Sequence, residues 1–257
     1  MLVSKDVTLI YTNAAAQTLS MSFQSLFFPL ECREQLQSRI SSEKGVNRDG
    51  EIFTNLAADI RHIDINGYFN AASGRRAMEG QLKRVFSISG AGTLEYHNAR
   101  DSTHYAITAY PEAVPDVNWQ NMRVEFAVSL TCLDPYWYGD EKTVSGSGSP
   151  LPVTNTGDVY AGAVYELTGS AVNPYVKIGD KAVAFIGSIS GQTLRITAMP
   201  EKSFVDIGGV NNMRYLTDAN RRAFPLLAAG SNSVAFGADS GSVSLAVKFK
   251  PRFYGAF

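Results

Sequence analysis

Charged side chains are scarce in this chain. Asp, Glu, Lys and Arg make up 18% of its 257 residues, against about a quarter in an ordinary soluble protein. The shortage leaves much of the surface neutral or apolar, which suits contact surfaces buried in an assembly. An all-β chain rich in Thr, Ser, Gly and Asn would show the same shortage. The two signs nearly cancel, 23 basic against 24 acidic. Basic residues run no longer than pairs: Arg75-Arg76, Lys83-Arg84 and Arg221-Arg222. Phosphate neutralisation needs a concentrated basic stripe, so no nucleic-acid partner is expected.

Cysteine is nearly missing. Cys32 and Cys132 are the whole supply, whereas a disulfide scaffold is Cys-dense. Two isolated cysteines read as buried small hydrophobes in preference to a bridge. No run of about 18 apolar residues occurs, so no membrane span is expected. Met1-Leu2-Val3-Ser4-Lys5-Asp6 lacks the basic and apolar regions of a secretory signal. Synthesis in a cytoplasm and a soluble product are expected.

Chemistry-bearing motifs are equally thin. The three histidines are His62, His97 and His104. His97 and His104 stand seven apart with no Cys neighbour, which is no zinc-motif spacing. They read as surface or strand-face histidines. A nucleophile elbow needs Gly-x-Ser-x-Gly, but Gly187-Ser188-Ile189-Ser190-Gly191 carries Ile at its centre and reads as a hairpin loop. Gly90-Ala91-Gly92 starts like a dinucleotide fingerprint, then places Glu95 at the sixth position and leads into a strand. Asp134, Asp140 and Glu141 lie beside Tyr136-Trp137-Tyr138. That cluster reads as a linker face in preference to a sugar-cleaving or sugar-binding site. A calcium loop is absent. No catalytic, cofactor-binding or metal-ligating residue is assigned, and neither a cofactor nor enzymatic activity is expected.

What is present is strand pattern and aromatic side chains, 12 Tyr and 14 Phe with Trp119 and Trp137. Val7–Thr12 reads as a strand, and Thr18–Phe23 and Arg61–Asn70 alternate with the period of half-buried strands. Gly50–Leu56 reads as a separate short strand after a turn. One helix is expected from about Gly74 to Ser87, with Met78, Leu82, Val85 and Phe86 at helical spacing and Ser73 as N-cap. Gly92–Tyr96, His104–Tyr110 and the long Met122–Cys132 follow as strands, the last a central one. Thr143-Val144-Ser145-Gly146-Ser147-Gly148-Ser149-Pro150 has flexible-linker or long-loop chemistry. It divides the chain into domains 1–140 and 141–257. The second half is nearly pure short-strand pattern with turn residues about every ten positions, the sign of a sandwich or barrel. A turn is expected near Thr217 to Ala223.

Several ordered motifs carry a family resemblance. Phe126 to Cys132 runs into Leu133-Asp134-Pro135-Tyr136-Trp137-Tyr138-Gly139. Ile65-Asn66-Gly67-Tyr68-Phe69-Asn70 leads through the helix to Leu82-Lys83-Arg84-Val85-Phe86 and Gly92-Thr93-Leu94-Glu95-Tyr96. Asn155-Thr156-Gly157-Asp158, Tyr165-Glu166-Leu167-Thr168-Gly169, Asn173-Pro174-Tyr175-Val176, Phe204-Val205-Asp206-Ile207 and Phe224-Pro225-Leu226-Leu227 follow, and Phe253-Tyr254-Gly255 closes the chain. The set resembles the distal tail (Dit) family of long-tailed phages over nearly the whole chain. The resemblance implies a mainly β fold, with one helix in a β-sandwich-type N-terminal ring domain and a galectin-like C-terminal β-sandwich. It implies a homohexamer ring at the virion tail tip, assembled in the bacterial host cytoplasm. The ring would join the tail tube protein to the tail-tip or tail-associated lysin protein, with receptor-binding proteins or fibres docked outward. At 257 residues no large inserted carbohydrate-binding region fits.

Two other readings stand beside this one. A carbohydrate-binding host-recognition module would use a sandwich with a stacking Trp, and no Trp follows Thr143. A cell-wall hydrolase would need a nucleophile, zinc site or placed acid pair, none of which is recognisable.

Overall fold

The computed structural model describes residues 2–44, 51–70, 74–120, 123–216 and 224–256. Its contacts fall into two compact units, Met1–Trp137 with Tyr254–Phe257, and Tyr138–Phe253. The architecture is mainly β, as the sequence predicts.

In chain order the first unit holds β1 (Val7–Thr12), β2 (Thr18–Ser22), β3 (Phe27–Lys44), β4 (Glu51–Asn70), α1 (Arg75–Val85), β5 (Gly92–Asn98), β6 (Thr103–Pro111), β7 (Asp116–Gln120) and β8 (Arg123–Cys132). The strands lie in the order β6-β5-β1-β2-β3-β4-β8-β7. All neighbours are antiparallel except β2 and β3, which meet in parallel through Met21 and Phe27. A further pairing of β6 with β8 (Tyr110 with Thr131, Pro111 with Leu130) closes the sheet on itself. Alternation sends Leu9, Tyr11, Met21, Ile63, Ile65 and Leu130 inward, all buried. Helix α1 covers this core with Met78, Leu82 and Val85. Just past its end, Phe86 stacks on Tyr11 at 4.5 Å between ring centres. The predicted N-cap Ser73 lies outside the described residues, and Gly74, in the left-handed region at φ 79°, occupies the cap position.

β3 and β4 differ most from expectation. The pattern predicts a short strand near Gly50–Leu56 apart from the one at Arg61–Asn70. The structure joins them into one strand of 20 residues. Its partner β3, 18 residues long, was not foreseen. The reason is physical: β3 is exposed at every position from Gln37 to Lys44. A strand with neither face buried needs no alternation, so it leaves no period to read. Strand β7, with its short and mixed pattern, was missed as well.

Strand β9 (Trp137–Tyr138) carries the chain into the second unit. There follow β10 (Lys142–Gly146), β11 (Leu151–Asn155), β12 (Ala163–Val172), β13 (Tyr175–Ile178), β14 (Lys181–Ala184), β15 (Ser188–Ala198), β16 (Ser203–Ile207), β17 (Val210–Asn211), β18 (Gly230–Gly237), β19 (Ser240–Phe249) and β20 (Arg252–Phe253). Strands β10 to β19 form a six-stranded sheet, β10-β19-β12-β15-β16-β17, and a four-stranded one, β11-β18-β13-β14. Tyr165, Leu167, Leu194, Ile196 and Val247 from the first sheet pack with Val153, Val176, Val183 and Val234 from the second in a single buried cluster. The Ser/Gly run is no linker. Lys142–Gly146 pairs with β19, Leu151–Asn155 pairs with β18, and only 147–150 turn between them. The Ser149 hydroxyl fixes that turn by accepting the Phe236 N–H at 3.0 Å. Small polar residues serve an exposed strand of a sandwich as well as they serve a loop. Gly187–Gly191 likewise runs into strand β15, with Ser188 as its first residue and Gly191 at positive φ. The turn expected near Thr217 to Ala223 lies outside the described residues.

Cys32 and Cys132 are buried thiols. Burial pushes the Cys132 thiol up to about 12 and raises that of Cys32 as well. The thiolate is the reactive form, so neither should react with a thiol reagent in the native state. Two thiols per chain should become titratable on unfolding. Rapid modification of native protein would contradict this placement.

Candidate assembly site

The outer part of the β3–β4 hairpin is built unlike the rest of the molecule. Pairing runs from Phe27 opposite Phe69 out to Lys44 opposite Glu51. The eight exposed residues Gln37 to Lys44 extend about 27 Å at strand rise. No buried side chain of β3 lies along that length. Ile40 is 65% exposed there, and the Thr54 hydroxyl donates to Ser41 O at 2.8 Å across the ribbon. A two-stranded ribbon in water is marginal by itself. This arm therefore gains most from lying on another surface.

The base of the arm is anchored firmly. Arg61 on β4 is fully buried. Its Nε donates to Pro135 O at 2.6 Å, and its two terminal nitrogens donate to the Glu34 carboxylate and to Tyr254 O. Glu34 on β3 also accepts from Trp137 Nε1 at 2.8 Å and from the Ala256 N–H at 3.3 Å. One guanidinium and one carboxylate thus join both arm strands to the loop after β8 and to the chain's last residues. Trp137, part of the aromatic cluster that raised a sugar site, is wholly buried and serves this anchor. Asp134 receives the Tyr136 N–H in a turn at 3.4 Å.

At the end of the β3–β4 pairing away from the arm, the sheet turns an apolar face outward. Phe28 and Tyr68, directly opposite each other on β3 and β4, stack at 4.8 Å. Phe23 abuts Phe28 at 4.0 Å, and the Arg123 guanidinium sits 4.8 Å over the Tyr68 ring. Leu26 and Leu30 are exposed nearby in sequence. An open depression of about 330 Å³ adjoins, lined by Leu30, Asn66, Gly67, Asn118, Glu125 and Phe126 among others. Gly67 is required at its floor. A Cβ there would lie 2.6 Å from the Phe126 ring and closer still to Phe28 O. Strand β7 ends the sheet order next to this depression, and its Trp119 is 44% exposed. An edge strand offers unpaired backbone groups to a further strand.

The histidines fall in two places. His62 Nδ1 lies 2.6 Å from Glu112 Oε1, with the Thr131 hydroxyl 3.3 Å from the same nitrogen. His97 and His104 face each other across the β5–β6 hairpin. The Glu112 carboxyl is held below the usual carboxylate range, first by the Thr131 hydroxyl and then by His62. Asp101 is lowered chiefly by the hydroxyl and N–H of Thr103. A carboxylate with a depressed folded pKa stabilises the fold above its unfolded pKa, roughly 4. That contribution is lost as pH falls through the folded value. The urea midpoint should therefore hold steady from neutral pH to about pH 5 and fall below it. A midpoint that rose on acidification would contradict these assignments.

On the second unit, the outer face of the six-stranded sheet is polar. Glu166 lies 2.8 Å from Lys248 and 3.4 Å from Arg195, and the hydroxyls of Thr168 and Thr193 are 3.0 Å apart. Among the described residues no helix is long and apolar enough to cross a membrane.

No family model and no curated protein matches the sequence. The fold is nonetheless similar to that of solved phage tail proteins. The SPP1 Dit protein, described as a hub of the adsorption apparatus in phages infecting Gram-positive bacteria, is 15% identical. The match covers 96% of this chain and 99% of that one, with a TM-score of 0.75. A chain of the phage P2 baseplate in its activated conformation is 10% identical over 97% of this chain and 99% of its own, with a TM-score of 0.52.

Proposed function

We propose that this chain is a structural hub of a phage tail. Six copies close into a ring that joins the tail tube to the tail-tip or lysin-bearing protein, and the ring carries no catalysis. The observation that supports this most is the fold likeness to SPP1 Dit over the full length of both chains. The arm, the outward Phe28–Tyr68 face and the β7 edge supply surfaces for a head-to-tail contact. Such a contact uses two different patches and closes under cyclic symmetry. The second unit, read as a galectin-like sandwich, serves as an adaptor on which receptor-binding proteins or fibres dock. Its polar face carries no Trp for sugar stacking, since none follows Thr143.

Gold-labelled antibody against the chain tests the location on tail preparations viewed by negative-stain microscopy. Label confined to the tip is expected. Label along the tube, or none on intact tails, counts against the hub. Binding of the isolated protein to cell-wall polysaccharide on a glycan array would favour the sugar-reading alternative instead.

A further inference from the structure

We propose that Glu95, His97 and His104 form a binding site for a divalent transition-metal ion of the Zn²⁺ type. The proposal is independent of the hub reading.

The site arises from hairpin register. Strands β5 and β6 pair so that His97 lies opposite His104, while Glu95 sits two residues before His97 on the same face. The turn that sets this register is built tightly. Asn98 Oδ1 accepts the Arg100 N–H at 3.0 Å, Asp101 Oδ1 accepts the Thr103 N–H at 3.1 Å, and Asn98 Nδ2 donates to Asp101 Oδ2 at 3.3 Å. Strand β1 supports the other side, with Thr8 opposite His97. The ligand positions thus rest on three paired strands and not on a loop, which favours a preorganised site.

The geometry suits a small ion. The imidazoles are stacked at 4.2 Å between ring centres. Glu95 Oε2 lies 3.0 Å from His97 Nε2 and 3.9 Å from His104 Nε2. One ligand atom from each of the three residues falls within 4.8 Å of the others. Tetrahedral zinc with bonds near 2.0 Å needs ligand atoms about 3.3 Å apart. Side-chain rotation on binding would bring the longer separations to that value. All three residues are partly exposed, and an open depression of about 250 Å³ beside them gives the ion access. Two imidazoles and one carboxylate select Zn²⁺, Cu²⁺ or Ni²⁺ over Ca²⁺ or Mg²⁺, which prefer oxygen ligands. Three protein ligands leave a coordination position for water. The bound ion would clamp the β5–β6 hairpin.

Isothermal titration of the full chain, stripped with chelator, by ZnCl₂ tests the site. One ion per chain is expected, with no matching heat from CaCl₂. Zinc should also raise the melting temperature, because a ligand that binds the folded state stabilises it. His97→Ala and His104→Ala should each weaken binding at least tenfold, as should the milder Glu95→Gln. Each variant's zinc-free melting curve establishes that it folds, and a variant that fails to fold is replaced by His97→Gln or His104→Gln. Co²⁺ in place of zinc should give the visible absorption of a low-coordinate site in the parent and lose it in the variants. Absence of zinc binding overturns the proposal. So does binding that survives both histidine substitutions in folded protein.

Discussion

Arg61→Ala should lower the stability of the first unit by about 3 kcal/mol. Breaking a buried ion pair by removing one partner costs roughly 3–5 kcal/mol. The lower end applies because Glu34 keeps donors in Trp137 Nε1 and the Ala256 N–H. The substitution also removes the guanidinium that donates to the buried Pro135 carbonyl and to Tyr254 O. Both tryptophans, Trp119 and Trp137, belong to the first unit, so a urea curve followed by Trp fluorescence reports that unit alone. Arg61→Lys keeps the charge but loses the planar fork, so an intermediate loss is expected. Removing both charges in Arg61→Met with Glu34→Met should recover much of the loss, since apolar replacements of a buried pair are often neutral. A cost for Arg61→Ala below about 1 kcal/mol, in the range of exposed pairs, would show that the anchor contributes little.

The second large effect concerns assembly. Excising residues 39–57 and closing the shortened hairpin with an Asn-Gly turn should abolish ring formation while leaving the monomer folded. The described part of β3 that is removed is exposed throughout, and the anchor at Glu34 and Arg61 stays. The Trp-detected urea midpoint should therefore hardly move. Ile40→Asp is the gentler counterpart, placing a charge where an exposed apolar side chain would be buried against a neighbour. Sedimentation velocity reads both. A truncated chain that still forms the parental oligomer would show that the arm is not an assembly device.

Legibility in the sequence follows burial. Strands with one buried face announced themselves: Val124, Phe126, Val128 and Leu130 alternate inward along β8 as the pattern predicts. Helix α1 did too, through Met78, Leu82 and Val85. The arm did not, because solvent on both faces erases the period that marks a strand. The apolar face was hidden for another reason. Phe28 and Tyr68 are forty residues apart, and only the β3–β4 register makes them a pair. The His97–His104 pair follows from the β5–β6 register. Two histidines placed symmetrically about a short turn meet when the flanking segments form a hairpin, whatever the spacing rules of zinc motifs. Asp134-Pro135-Tyr136-Trp137 stood out in the sequence as a family feature. In the structure it supplies the carbonyl and indole that complete the arm's anchor.

The account stands or falls on a closed ring. Native mass spectrometry of the purified full chain, over a range of concentrations, tests it most directly. The hub reading predicts a discrete species of six chains that loses none of its mass on modest dilution and disappears in the arm-excised variant. A chain that stays strictly monomeric well above micromolar concentration, with no ring in tail preparations, would contradict it.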